Sequence, residues 1–387
     1  MTLVDLFSGC GGFSLGAQEA GFRVAAAFDI DPVLTFAFPS NFPHTRLVIG
    51  DISKIHGDTV LAAAGGRVDG IFGGPPCQGF SMIGRRLPDD PRSLLVGHFF
   101  RIVREVQPAF FVMENVRGLG SSDSRAILGS ALKLIEDRYA ILGPELLDAA
   151  DFGAATRRQR LFLIGIHKDC GEPIELNDIA RLKRPVATVR AAIADLENAA
   201  YVGEEAGFDV WRIARSGRPS EYARMLRGPG GKFTGHRTTE HSGKVIRRFR
   251  TVPPGGTDVV GRHQRLDWVG QCPTLRAGTG ADRGSYQSVR PLHPEEPRVI
   301  TVREAARLQG FPDAYRFHPT IWHSFRMIGN SVSPIIARAI FLAIAERLDG
   351  RAPSTEKKGL ASYGPSYTAT SLVANVSRQG QKHIAGG

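Results

Sequence analysis

The stretch TLVDLFSGCGGFSLG, residues 2–16, decides the fold. Thr2–Phe7 is a short apolar run and reads as a buried strand, the glycines that follow allow a tight turn, and Phe13–Ala20 has helical spacing. A strand that passes through a glycine-rich turn into a helix lets a ligand lie close to the backbone and to the helix N-terminus. The same punctuation continues through the first half of the chain. Val24–Ile30, Thr45–Ile49, Val68–Phe72, Ala109–Glu114 and Leu161–His167 read as further buried strands, and His98–Val106 and Ser124–Asp137 as amphipathic helices between them. This alternation predicts an α/β fold built on a doubly wound sheet.

Residues of chemical interest gather where these strands end. In such a sheet the carboxylate of Asp29, about 20 residues after the glycine loop, can accept hydrogen bonds from ribose hydroxyls. Asp51-Ile52 follows the third strand, where the carboxylate can meet an adenine amino group or simply cap a helix. GGPPCQGFS at 73–81 follows the fourth. Pro75 and Pro76 hold the backbone and offer no amide donors, so a thiol displayed on that loop at Cys77 reads as a nucleophile rather than as core filler. Glu114 closes the fifth strand, and a buried carboxylate there needs a purpose or a partner. Arg157, Arg158 and Arg160 precede an apolar strand, and alternation puts Arg158 and Arg160 on one face, able to hold a phosphate or a base carbonyl. IGNSVSP at 328–334 offers Asn330 and Ser331 just before a final helix; alone it looks like a helix cap.

From about Arg181 the βα rhythm gives way to Arg, Gly and Pro, with RGPGGK at 227–232 and PPGG at 253–256, and a second, loop-rich domain is expected. Between Arg181 and Cys272 stand 17 Lys and Arg against 9 Asp and Glu, which is eight of the chain's eleven net positive charges. A basic block of that kind suits a polyanion such as nucleic acid. Helical order returns at TVREAARLQGF and at IIARAIFLAIAERL, whose helix is expected to pack back on the first domain, and residues 351–387 read as a flexible tail. Four scattered cysteines indicate neither a disulfide framework nor a zinc site, and no metal is expected. No apolar run approaches the roughly 18 to 20 residues of a membrane span, and no leader peptide precedes the first strand, so a cytoplasmic protein is expected.

Taken in order, DLFSGCGG, GGPPCQGFS, ENV, RRQR-LFLIG, TVREAARLQGFPD and GNSVSP resemble the bacterial DNA (cytosine-5)-methyltransferases of restriction-modification systems, from residue 1 to about residue 348. Pro-Pro-Cys-Gln with ENV downstream is the most specific part of the match. The resemblance implies a Rossmann-like S-adenosylmethionine-dependent methyltransferase domain (residues 1–184), a smaller target-recognition domain (185–281), a return to the first domain (282–350) and the tail. It implies S-adenosylmethionine as cofactor, with Phe7, Ser8, Gly9, Gly11, Gly12, Asp29, Ile30, Asp51, Ile52, Pro75, Asn330 and Ser331 around it. Asp29 stands where the family usually has Glu, and Thr156 where many members have Gln.

The mechanism so implied is covalent activation. Cys77 adds to carbon 6 of cytosine while Glu114 bonds or protonates ring N3 and the exocyclic amine, and Arg158 and Arg160 orient the base and its phosphate. The target base must leave the duplex for this, and the loop from Ser81 to Arg92, with Arg85 and Arg86, is expected to close over it. Arg237, Arg247, Arg248 and Arg250 are the further DNA-contact candidates, each able to meet guanine or a phosphate. Double-stranded DNA is the expected partner of a monomer, with a cognate restriction endonuclease as functional partner. Two rivals keep the fold, a tRNA cytosine-5 methyltransferase and a catalytically dead DNA-binding protein. The first is opposed by the basic block and the second by intact Cys77 and Glu114; a nicotinamide-dependent oxidoreductase would leave PPCQ and ENV without a role.

Overall fold

The computed structural model describes residues 1–76, 94–120, 122–213, 219–277 and 290–349. Cys77, Arg85, Arg86, the rest of the Ser81–Arg92 loop and the tail from 351 lie outside the described residues.

Seven strands form the main sheet: β1 (Thr2–Leu6), β2 (Arg23–Asp29), β3 (Arg46–Ile49), β4 (Gly70–Gly73), β5 (Phe110–Asn115), β6 (Tyr139–Asp148) and β7 (Gln159–His167). Their order is β3-β2-β1-β4-β5-β7-β6. The first five pair in parallel, and β7 is antiparallel to both β5 and β6. Side chains alternate between two cores, as a strand buried on both faces requires. Phe110, Val112, Phe162 and Ile164 enter the cluster shared with α1 (Gly12–Glu19). Phe111, Met113, Leu161 and Leu163 enter the opposite one, with α3 (Gly57–Ala64), α4 (Leu94–Val106) and α5 (Ser122–Leu132). The short α2 (Phe38–Asn41) lies between β2 and β3.

The sequence reading missed β6. Its run, YAILGPELLD, is interrupted by Gly143-Pro144, where the pairing with β7 shifts register between Leu142 and Glu145. The loop-rich second region also holds strands that the sequence reading did not name. It contains a three-stranded antiparallel sheet of β8 (Ala199–Glu205), β9 (Phe208–Ile213) and β10 (Lys232–Thr234). Polar residues such as Glu204, Glu205 and Asp209 break up the apolar pattern of these short strands and hide them. Helix α6 (Leu176–Ala180) precedes this part of the chain, and α7 (Val189–Ile193), α8 (Glu221–Leu226) and α9 (Gly243–Arg250) lie within it.

Three helices close the fold: α10 (Val302–Gln309), α11 (Ile321–Asn330) and α12 (Pro334–Asp349). The segment Ile321–Leu348 is long and apolar enough by composition to cross a membrane, which the run-by-run sequence reading did not register. It is a core element here, since Ile336, Ala337, Ile340, Phe341 and Ile344 of α12 pack on α1 and the sheet as expected. Phe341 meets Phe13 at 5.5 Å and Phe72 at 5.1 Å between ring centroids. The contact is close enough to dictate glycine on α1, because a Cβ built on Gly16 falls 2.4 Å from the Ala337 Cβ and 2.7 Å from the Arg338 amide nitrogen. The obstructing atoms belong to a packed helix and cannot swing away. Gly16→Ala is therefore expected to cost about 1–3 kcal/mol, measured by chemical denaturation, with a loss under about 0.5 kcal/mol showing that α12 can shift outward.

Candidate active site

The carboxyl ends of β1 to β5 share one edge, and the chain turns from winding on one side of β1 to the other between β1 and β4, the place where α/β sheets hold ligands. Phe7 begins the turn after β1 with a left-handed backbone (φ 67°), and Gly9 (φ 52°) and Gly11 (φ 90°) continue it. The glycines do different work. Nothing lies within 4 Å of a Cβ built on Gly9, whereas one on Gly11 would strike the Phe42 ring and one on Gly12 would sit 2.3 Å from the Val332 carbonyl oxygen. Gly11 and Gly12, expected to serve a cofactor, are thus required by the protein's own packing, and Gly9 alone faces open space.

Asp29, at the end of β2, fastens the loop. Its Oδ2 accepts the Gly9 N–H at 2.7 Å and its Oδ1 accepts the Asp31 N–H at 2.8 Å. Ile30 and Ile49 are exposed beside it, an apolar lip at the edge. Asp51 caps a single 3₁₀ turn by accepting the Ser53 N–H at 3.0 Å, so the capping reading describes its bonded oxygen, Oδ1. Ile52 is buried among the α3 and α4 side chains. Asn330 is exposed at the end of α11, while Ser331 is buried and donates to the Ile328 carbonyl.

Beneath the loop lie buried polar groups, of which the sequence reading named Ser8 and passed over Asp5 and Gln309. Asp5 on β1 is 1% exposed, its Oδ2 accepts the Ser14 hydroxyl at 2.5 Å, and its Oδ1 has no partner among the described residues. Burial pushes its carboxyl well above the usual aspartate range, only partly opposed by Ser14. Ser8 Oγ and Gln309 Oε1 are likewise buried without partners there. An isolated Asp within an apolar strand was the available signal.

Glu114 and the two arginines do come together. Arg160 Nε stands 2.8 Å from Glu114 Oε1, with both side chains largely buried. Desolvation raises the Glu114 carboxyl above its ordinary value, against the opposing pull of Arg160 and Arg158. Glu114 also faces the loop after β4, since a Cβ built on Gly74 would lie 2.9 Å from Glu114 Oε2. The next residue, Asn115, given no role from sequence, donates from Nδ2 to the Pro75 carbonyl at 3.0 Å and ties that loop to β5. Arg158, expected to orient a base and phosphate, sits deeper than Arg160, and its Nε has no partner among the described residues. It is 2% exposed, and its guanidinium donates to the Leu275 carbonyl at 3.2 Å and the Gly329 carbonyl at 2.8 Å. Thr156 is fully buried and its hydroxyl donates to the Cys272 carbonyl, which gives Thr a bonded place at that position.

Two of the DNA-contact candidates are occupied by protein acids. Arg248 pairs with buried Asp258 at 2.7 Å and Arg237 with Glu204 at 2.6 Å. Arg247 and Arg250 are exposed on α9 with no ion-pair partner among the described residues.

A seven-stranded sheet with one reversed strand, a glycine turn at its switch point and a buried Glu–Arg pair at the same edge define a Rossmann-like methyltransferase. The family of C-5 cytosine-specific DNA methylases matches residues 1–346, and the chain belongs to that family. It is 42% identical over 356 residues to the Type II methyltransferase M.XorII of Xanthomonas oryzae pv. oryzae, covering 87% of this chain and 82% of that one. It is 32% identical over 365 residues to the Type II methyltransferase M1.HphI of Haemophilus parahaemolyticus, covering 89% and 86%. A crystal structure described as that of a prophage-encoded DNA modification methyltransferase from Escherichia coli superposes with a TM-score of 0.78 at 37% identity, over 90% of this chain and 99% of that one. The chain is a DNA (cytosine-5)-methyltransferase, and the tRNA, inactive and oxidoreductase readings fall behind it.

Asp5 supplies a prediction about pH. Its folded form holds a proton more tightly than the unfolded chain does, so its contribution to stability is full at low pH and is lost as pH rises from the ordinary aspartate value toward the raised one. Asp5→Asn removes that loss. The melting temperature of the variant relative to wild type is expected to rise between pH 5 and pH 8, and a difference that stays flat across this range would show that Asp5 is ionised in the fold.

Proposed function

We propose that this enzyme methylates carbon 5 of a cytosine flipped out of one specific double-stranded sequence, through a transient bond between Cys77 and carbon 6, with S-adenosylmethionine as methyl donor. The carrying observation is Glu114, buried, raised in pKa and held by Arg160 directly against Gly74, three residues before Cys77 in the chain.

The cofactor fits the residues at the edge. Gly9 leaves open space, Ser8 Oγ is a buried hydroxyl without a partner among the described residues, and Ile30 and Ile49 offer apolar surface for a ring. Phe7, Ser8, Gly9, Asp29, Ile30, Asp51, Pro75 and Asn330 would hold it directly, and Gly11, Gly12, Ile52 and Ser331 would shape the loops behind them. When bound, the cofactor supplies an electrophilic methyl group. The chain's own residues make the base able to take it. Addition of the Cys77 thiolate at carbon 6 gives carbon 5 the character of an enamine carbon, provided the charge arriving at N3 is met. Glu114 meets it, because burial favours the protonated form of its carboxyl, which can donate a hydrogen bond to N3. Arg160 fixes the carboxyl's direction, and Arg158 fixes the wall behind Arg160 by holding Leu275 and Gly329. Once carbon 5 has lost its proton, the bond between carbon 6 and sulfur breaks, the thiolate leaves and the ring regains aromaticity.

Residues 185–281, with their basic excess, are assigned to reading the duplex. A monomer acting on cytoplasmic DNA completes the reading, with a cognate restriction endonuclease as functional partner, a role to which the Type II relatives lend support.

The test is bisulfite sequencing of a mixed-sequence plasmid after incubation with purified protein and S-adenosylmethionine. Protection of cytosines within a single short motif is expected, with Cys77→Ser abolishing it and Glu114→Gln slowing it by about 100-fold or more. A folded, cofactor-binding protein that protects no cytosine would overturn the reading.

A further inference from the structure

Between α9 and the segment that returns to the catalytic domain, the chain makes a turn at Asp258-Val259-Val260-Gly261-Arg262 that is fixed from several sides. The Asp258 carbonyl accepts the Arg262 N–H at 2.9 Å, its N–H donates to the His263 carbonyl at 2.8 Å, and its Oδ2 accepts the Gly261 N–H at 2.6 Å. Oδ1 of the same buried side chain forms the ion pair with Arg248 of α9. Arg262 is held at φ 59°, a left-handed conformation that a non-glycine residue adopts only when its surroundings impose it. All this order serves to display two valines. Val259 is 83% exposed and Val260 68%.

Rigidly presented, stiff β-branched side chains have little entropy to lose on contact, and the protein gains nothing from leaving them in water. Their neighbours point to the partner. On α9, to which the turn is pinned through Arg248, Lys244, Arg247 and Arg250 are exposed with no ion-pair partner among the described residues. The turn also connects to the active site through contacts that can be followed. His263 Nδ1 lies 2.7 Å from the Arg290 carbonyl, the Arg290 guanidinium stacks over Phe325 of α11 at 5.3 Å, and α11 ends in the Gly329 carbonyl that binds Arg158.

An apolar tip flanked by cations matches DNA at one place, a base edge bearing a methyl group between phosphates. In the major groove that group is the 5-methyl of thymine. A wedge driven between base steps of the minor groove is the other known use of exposed apolar side chains, but it draws on longer ones than valine. We propose that Val259 and Val260 contact a thymine methyl within the recognition sequence and so help select it, while Arg247 and Arg250 hold phosphates beside it. This rests on the reading of the chain as a sequence-specific DNA enzyme.

The experiment uses the full-length enzyme and duplexes of its methylated motif in which each thymine in turn is replaced by uracil, which lacks only the methyl group. For wild type, kcat/KM is expected to fall about fourfold at one position, the worth of one buried methyl-sized group. Val259→Ser/Val260→Ser should be slower on the thymine duplex and indifferent to the change to uracil, and since both positions are exposed the double variant is expected to fold. Arg247→Gln should lower the salt dependence of binding by about one phosphate contact and leave the thymine-to-uracil ratio alone. Methylation of the all-thymine duplex by wild type checks the underlying reading separately. With that methylation present, the valine assignment is overturned by a motif lacking A·T pairs, by uracil substitutions that have no effect, or by a double variant that keeps the wild-type ratio; a loss of binding indifferent to uracil would identify a wedge instead.

Discussion

Helix α10 has no solvent face, and the joining of the two halves of the chain depends on how its charges are met. Every residue from Val302 to Gln309 is buried, including Arg303, Glu304 and Arg307. An isolated charge in that position would cost several kcal/mol. Arg303 is spent on the carbonyls of Thr234, Pro312 and Tyr315, and Arg307 on Asp313 at 2.6 Å and Asp195 at 3.2 Å. Glu304 takes Arg298 on both oxygens, which holds its carboxyl down to about 2. The partners Asp195 and Thr234 lie in the region assigned to reading DNA, so the helix is also the joint by which that region is fixed to the catalytic core. The apolar residues of the same helix, Val302, Ala305, Ala306 and Leu308, sit in one cluster with Leu226, Phe233 and Leu275 from that region and Phe325 from α11.

Arg265 repeats the principle on a smaller scale. It is buried with no carboxylate partner among the described residues, and its guanidinium is used up by main-chain oxygens of Phe249 and Val252, at the end of α9, and of His293, Pro294 and Glu296. Carbonyl oxygens anchor the end of α9 without neutralising the exposed cations that the helix carries. Arg248 and Arg265, two members of the basic block read from composition, are therefore part of the scaffold that holds the remaining cations out.

How much of this was legible in the sequence depended on the distance over which each residue acts. The strands of the main sheet and the glycine turn were legible because burial on both faces writes itself as a local apolar run, as in Phe110–Met113 and Leu161–Ile166. Glu114 was legible because a carboxylate at the end of such a run is an anomaly, and Arg160 because alternation aims it at the same edge. Arg158 looked identical to Arg160 in sequence. Its fate was settled by carbonyls 117 and 171 residues further along, which no local pattern encodes. The glycines of the loop divided in the same way, since Phe42 and Val332 decide the matter for Gly11 and Gly12. β8 to β10 escaped because a small, half-exposed sheet leaves too few apolar residues to show a period.

The packing of α12 on α1 bears on how the protein is made. The glycine turn that follows β1 stands far ahead of α12 in the chain, yet its shape is confirmed by Val332 and its helix is seated by Ala337 and Phe341. Contacts of such separation form late and slowly. The nascent polypeptide thus carries its nucleotide-type loop unsupported until α12 has been made, and a chain stopped before Pro334 would have the residues of the catalytic edge but no last helix to hold the first in place. Completion of the catalytic edge therefore waits for α12 to be made.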